Sequence, residues 1–169
     1  HWSYIYGPAG GINSDITDMA KWLTFQVNNG RFQNKSLISE ENMNFIHSPK
    51  TFAPPMENQP LQAYCQGWIY RENIPCDIVW HNGGTSGFKT MIAIVPEAKI
   101  GIVILSNLAG TELPDSLAYR FIDMYFDKAD RDWSGEYLAQ EKKKEDPANI
   151  PVAPKNPLPP MELKNYTGT

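Results

Sequence analysis

The sequence predicts an α+β domain built on an antiparallel β-sheet flanked by helices, and three observations carry that reading. Phe88 to Val95 and Ile100 to Ser106 are apolar on both alternating faces: Met91, Ala93 and Val95 against Ile92 and Ile94, then Ile100, Ile102 and Ile104 against Val103 and Leu105. Strands of that kind are covered on both sides and sit centrally in a sheet. The link between them, Pro96-Glu97-Ala98-Lys99, is too short for a parallel crossover, so the pair is antiparallel. Helical periodicity appears on either side of the strand-rich region.

Taken in order, Asn13 or Ser14 is expected to cap a first helix whose apolar positions are Ile16, Met19, Ala20, Leu23 and Val27. Asn28-Asn29-Gly30 ends it. A shorter helix starts at Ser39, with Glu40 and Glu41 at the positive end of its dipole. Residues 48–60 read as an irregular loop. About four strands follow, near Tyr64–Arg71, Asp77–His81, Phe88–Val95 and Ile100–Ser106. A helix from about Pro114 to Lys128 offers Leu113, Leu117, Phe121, Met124 and Tyr125 as its packing face. The expected sheet carries this helix on one face and meets the N-terminal helices at its edge.

Trp133 to Lys144 then reads as a charged helix. Residues 147–160 hold six of the fourteen prolines and read as an extended linker. Residues 129–160 are therefore assigned to helix and linker, and 161–169 to the start of a further domain. The chain opens on His1-Trp2-Ser3-Tyr4, with no initiator methionine and no signal-peptide pattern, and is expected to be a piece of a longer protein.

Composition narrows the function. The net charge is −4, and the 15 Lys and Arg are scattered apart from Lys142–Lys144, a poor footprint for nucleic acid. No stretch approaches the roughly 20 apolar residues of a membrane-spanning helix. His1, His47 and His81 with Cys65 and Cys76 fit no metal-ligand spacing. The two cysteines flank a hairpin turn near residues 72–75 that sets them too far apart for a disulfide, so both are expected unpaired.

The chemistry concentrates at His81-Asn82-Gly83-Gly84-Thr85-Ser86-Gly87. The strand is expected to stop here. Glycine at 83 and 84 clears side chains from the backbone and lets a ligand reach main-chain N–H groups, as an oxyanion hole requires. A tight turn between two strands explains the same glycines. The run precedes a strand and not a helix, so it is no phosphate loop. Ser86-Gly87-Phe88-Lys89 matches Ser-x-x-Lys as a string. A strand does not bring Lys89 back to Ser86, however, and Ser86 reads as loop and Lys89 as a strand-edge charge.

His81 to Phe88, followed by Val95-Pro96-Glu97, the Ile-rich strand and Leu105-Ser106-Asn107, resembles the C-terminal half of the penicillin-recognising serine hydrolases, closest to the class C β-lactamase and esterase-like branch. Gly7-Pro8-Ala9-Gly10-Gly11-Ile12-Asn13-Ser14 leading into Asp18-Met19-Ala20-Lys21-Trp22-Leu23 resembles the same branch. The resemblance covers about residues 4–127. It implies that residues 1–128 are the C-terminal half of a β-lactamase-like domain and that His81-Asn82-Gly83 is the counterpart of Lys-Thr-Gly. His81 and Gly84 are then the catalytic candidates, with the Gly84 N–H as an oxyanion donor. Asn82, Gly83 and Thr85 are the substrate-binding candidates, Asn82 standing where a hydroxyl usually helps to hold a substrate carboxylate. The resemblance further implies a small-molecule or peptide substrate, pairing with the N-terminal half of the same domain, no metal or organic cofactor, and a periplasmic or extracellular setting. No tyrosine is followed two places on by asparagine, so this segment by itself is expected to be inert. Two rival readings are a non-catalytic homologue that binds cell-wall or peptide ligands and an interaction domain that uses its sheet edge for strand addition.

Overall fold

The computed structural model describes residues 7–57, 59–145 and 162. In chain order the elements are α1 (Gly7–Gly10), α2 (Ile16–Val27), β1 (Arg31–Phe32), β2 (Lys35–Ser36), α3 (Glu40–His47), β3 (Thr51–Phe52), β4 (Gln62–Tyr64), β5 (Ile69–Arg71), β6 (Ile78–Thr85), β7 (Phe88–Val95), β8 (Ile100–Ser106), α4 (Leu113–Tyr125) and α5 (Trp133–Glu145). Strands β3 to β8 form one six-stranded antiparallel sheet in sequential order, and β1 and β2 form a separate hairpin. The antiparallel α+β expectation holds. The linker and further-domain assignments at 147–169 fall outside the described residues, apart from residue 162.

Several elements differ from the sequence reading. Asp15, not Asn13 or Ser14, caps α2, its carboxylate accepting from the Asp18 N–H at 2.9 Å. The α2 stop is as expected: Gly30 takes a φ of +80° and returns its N–H to the Phe25 carbonyl. The β1–β2 hairpin was not anticipated. Its turn residues Gln33 and Asn34 both adopt positive φ, the conformation of the tight turn whose twist matches two strands. The expected strand at 64–71 is two strands, because the chain folds back at Gly67 (φ +74°) and the Cys65 N–H donates to the Trp68 carbonyl at 2.7 Å. Residues 51 and 52, read as loop, pair with β4.

Both faces of the sheet are covered. On one side Ile78, Met91, Ala93 and Val95 pack against Ala118, Tyr119 and Ile122 of α4 and Trp133 of α5. On the other, Val79 and Ile94 pack with Cys65 and Trp68, closed by Leu23 and Val27 of α2 and Ile46 of α3. The N-terminal helices therefore lie on the second face and not at the sheet edge, as strands apolar on both sides demand. Gly101 lets α2 approach: a Cβ there would stand 2.7 Å from Leu23 Cδ1 and 2.9 Å from the Ala93 carbonyl. Between α2 and α3, the buried His47 Nε2 contacts Gln26 Oε1 at 2.8 Å and its ring meets Trp68 edge-on.

The packing face of α4 also differs from expectation. Leu113, Leu117, Met124 and Tyr125 are exposed, and the buried face is Asp115, Ser116, Ala118, Tyr119, Ile122 and Asp123. The two acids are admitted because each has partners. Asp123 accepts from Trp133 Nε1 at 2.5 Å, and Asp115 accepts from Asn82. The charged helix expected at Trp133–Lys144 is α5, and it packs on α4 by stacking Trp133 on Tyr119. Cys65 and Cys76 are both free thiols.

Candidate functional site

The strand expected to stop at His81 continues to Thr85, held by β7 through His81↔Ile92, Asn82↔Met91, Gly83↔Thr90, Gly84↔Lys89 and Thr85↔Phe88. Its other neighbour does not follow. β5 pairs with β6 only at Ile78, Val79 and Trp80, so among the described residues His81 to Thr85 have no strand on that side.

Alternation settles which main-chain groups face the open side. Residues 68 and 72 exchange bonds with β4, through Cys65 N–H to the Trp68 carbonyl and Glu72 N–H to the Leu61 carbonyl. Ile69 and Arg71 therefore turn to β6, and their partners Trp80 and Ile78 turn to β5. Continuing by twos, the N–H and C=O groups of Asn82 and Gly84 point to the side that β5 has vacated. The two-residue loop Ser86-Gly87, closed by Thr85↔Phe88, gives the same phase from the opposite end. Gly87 supplies the positive φ, +95°, that the turn needs.

Gly83, Gly84 and Thr85 are exposed, His81 and Asn82 half-buried. A Cβ on Gly83 would meet Thr90 Oγ1 at 3.0 Å. At Gly84 the nearest atom would be 4.0 Å away, so no steric contact among the described residues demands glycine there.

His81 lies on the α2 side of the sheet. Its Nδ1 stands 2.6 Å from the Asn82 carbonyl, which can only accept, so Nδ1 carries a proton and donates it there. The Tyr64 ring approaches it edge-on at 6.1 Å.

Asn82 lies on the α4 side. Its Nδ2 donates to Asp115 Oδ1 at 2.8 Å. Lys89, on the same face, reaches Glu112 Oε2 at 2.7 Å and Asp115 Oδ2 at 3.4 Å. No hydrogen bond reaches Asp115 Oδ2, so the longer contact is one of charge. Burial pushes the Asp115 carboxyl above its ordinary range, outweighing the Asn82 bond and the Lys89 charge that pull it down. Burial alone would lower the Lys89 ammonium, but Glu112 and Asp115 outweigh it and hold the group above its usual value.

Lys89 is thus a half-buried cation on a central strand and not an edge charge. Sequence reasoning missed it together with Asp115. The available signal was parity, because Lys89 shares its face with Met91 and Ala93, where a charge needs a partner. Ser86 lies in the turn, and the Lys89 ammonium is committed to the two carboxylates. The structure thus brings His81, Asn82, Gly83, Gly84 and Thr85 onto one open strand segment, with side chains on alternate faces.

A concavity of about 410 Å³ lies elsewhere, at the α4–α5 junction beside Arg120, Arg131 and Trp133. It includes no residue of the open segment, whose chemistry lies in exposed main chain. Among the described residues no three His, Cys, Asp or Glu side chains are grouped to hold a metal ion. Among the same residues no helix is long and apolar enough to cross a membrane.

A sheet covered by helices on both faces, with β6 left open along one side beyond Trp80, is the arrangement these residues build. The family model described as Beta-lactamase matches residues 1–124, and the chain belongs to that family. The chain is 31% identical over 180 residues to Unguisins hydrolase ungD' of Aspergillus campestris, covering 95% of this chain and 32% of that protein. It is 29% identical over 107 residues to Protein flp of Staphylococcus aureus, covering 63% of this chain and 20% of that one. The octameric penicillin-binding protein homologue from Pyrococcus abyssi superposes with a TM-score of 0.61 at 23% identity, over 79% of this chain and 29% of its own. The chain spans about a third or less of the length of these proteins.

Proposed function

We propose that the protein carrying this chain is a serine hydrolase that works through an acyl-enzyme on a β-lactam, a D-alanyl peptide or a small ester. In this reading residues 1–128 are the C-terminal half of the catalytic domain, 129–160 a helix and linker, and 161–169 the start of a further domain. The N-terminal half of the catalytic domain brings the serine and its activating base. The serine Oγ attacks the substrate carbonyl, negative charge gathers on the carbonyl oxygen, the leaving group departs, and water later releases the acyl group.

This chain supplies the wall that meets the developing charge. The observation that carries the reading is the phase of β6, which directs the Gly84 N–H to the open side of a strand held firm by β7. One donor so placed contributes roughly 3–4 kcal/mol to the transition state. The open space at the Gly84 Cβ position leaves room for the substrate. His81 lines the cleft, its Nδ1 turned to the Asn82 carbonyl, and Asn82, Gly83 and Thr85 form the substrate wall.

Intact-mass spectrometry of the full-length protein after fluorophosphonate and, separately, penicillin treatment tests this. The expected result is a stoichiometric adduct on a serine outside residues 1–169. His81→Ala should lower turnover and leave the melting temperature within a degree or two, and unchanged steady-state kinetics would remove His81 from the site. If neither reagent labels the folded protein, the open edge is a ligand-docking strand of a non-catalytic homologue.

A further inference from the structure

Asn82 stands where the resembling enzymes place a hydroxyl, and its amide is not free to turn. Nδ2 donates to Asp115 Oδ1 at 2.8 Å, and Asp115 is 3% exposed on the first turn of α4. A carboxylate accepts and does not donate, so it orients the amide with nitrogen toward α4 and oxygen away from it. Asn82 Oδ1 has no hydrogen-bond partner among the described residues. It is also absent from the buried, unsatisfied side-chain atoms of this region, which are Trp80 Nε1 and Asp115 Oδ2, so it retains access to solvent. The Lys89 ammonium lies on the same face, 2.7 Å from Glu112 Oε2 and 3.4 Å from Asp115 Oδ2.

We propose that Asp115, acting through Asn82, sets the polarity of the cleft wall, presenting a carbonyl acceptor in place of a hydroxyl donor and selecting ligands that bring a hydrogen-bond donor there over ligands that bring a carboxylate. The inference rests on the cleft assignment above and narrows its substrate list, favouring neutral amides and hydroxyl-bearing acyl compounds such as small esters over penicillins and D-alanyl-terminated peptides, which carry a carboxylate. A carboxylate would meet the Oδ1 lone pairs, whereas an N–H or O–H finds an acceptor already held in place. Asp115 is a positioning residue, because it reaches the ligand only by orienting Asn82.

The test uses the full-length protein and a matched pair of ligands, N-acetyl-D-alanyl-D-alanine and its C-terminal carboxamide, with Kd measured by titration calorimetry. The carboxamide should bind at least tenfold more tightly than the acid. Asp115→Asn keeps the size of the side chain but can donate as well as accept, so it releases the Asn82 amide to turn, and the preference should fall below threefold. Asn82→Ala should remove the preference in the same way, with melting curves confirming that both variants fold. A merely structural Asp115 would weaken both ligands equally and leave the ratio unchanged. An acid that binds as well as or better than the carboxamide, a ratio unmoved in both variants, or binding of neither ligand would overturn the proposal. Fluorophosphonate labelling separates this from the hydrolase reading. A labelled serine with no carboxamide preference leaves that reading standing and removes this inference, and a carboxamide preference without label does the reverse.

Discussion

Acid should loosen the contact between α2 and α3 through one residue. His47 is 8% exposed in the last turn of α3, where the helix dipole by itself would favour a charged ring. Burial dominates and lowers its pKa from 6.5 to about 4. The fold therefore binds the neutral ring, with Nε2–H donated to Gln26 Oε1 and the ring edge against Trp68. A lowered pKa contributes stability that is complete above the unfolded value near 6.5 and is lost as pH falls toward about 4. At about 1.36 kcal/mol per pH unit, that contribution is about 3 kcal/mol. Asp115 works in the opposite direction, since its raised carboxyl pKa adds stability as pH falls. Asp115 is common to wild type and variant, so the informative quantity is their difference. Urea unfolding at several pH values between 7 and 4 should show wild type losing about 3 kcal/mol more than His47→Gln, a neutral side chain that can still meet Gln26. Parallel losses in the two proteins would refute the assignment of this window to His47.

Two further outcomes follow from close contacts on the sheet. Gly101→Ala drives a Cβ to 2.9 Å from the Ala93 carbonyl and 2.7 Å from Leu23 Cδ1, and should cost about 1–3 kcal/mol in urea unfolding; a change under about 0.5 kcal/mol would mean that α2 does not seat there. Lys89→Met leaves the Asp115 carboxylate buried without its ammonium and should cost about 3–5 kcal/mol, most of it restored in Lys89→Met/Asp115→Asn, where the acceptor for Asn82 remains and the charge does not.

What the sequence made legible follows from how strongly each segment constrained itself. β7 and β8 were readable because both faces are apolar, and the α2 stop because Asn29 and Gly30 both adopt positive φ. β3, at two residues, is too short to show a period, and β4 was merged with β5 because nothing but Gly67 marks the fold-back. His81 to Thr85 looked like a strand end because Asn82, Gly83 and Gly84 carry little β-propensity of their own. Their pairing comes from β7, an influence that a local reading does not contain. For the candidate site, the location of the glycine-rich segment was legible. The charge cluster beneath it was not, because Lys89 and Asp115 lie 26 positions apart and meet through sheet parity.

The misjudged face of α4 has the same cause as the buried charges. A helix placed by hydrophobicity alone would turn Leu113, Leu117 and Met124 to the sheet, and these are the residues that stand exposed. Turned that way, Asp115 and Asp123 would face water, leaving the Lys89 ammonium with Glu112 alone, the Asn82 amide without its acceptor and the Trp133 indole N–H without Asp123. Unpaired buried donors cost about 1–3 kcal/mol each, comparable to what burying a leucine returns. The two acids, eight residues apart, therefore hold α4 at both ends, one against the open strand and the other against α5. The rotation of α4 is set by polar contacts, and the apolar residues Ala118, Tyr119 and Ile122 between them supply the packing. Asn82 thereby gains a fixed neighbour beneath it, and the exposed backbone of Gly83 and Gly84 continues from an anchored residue.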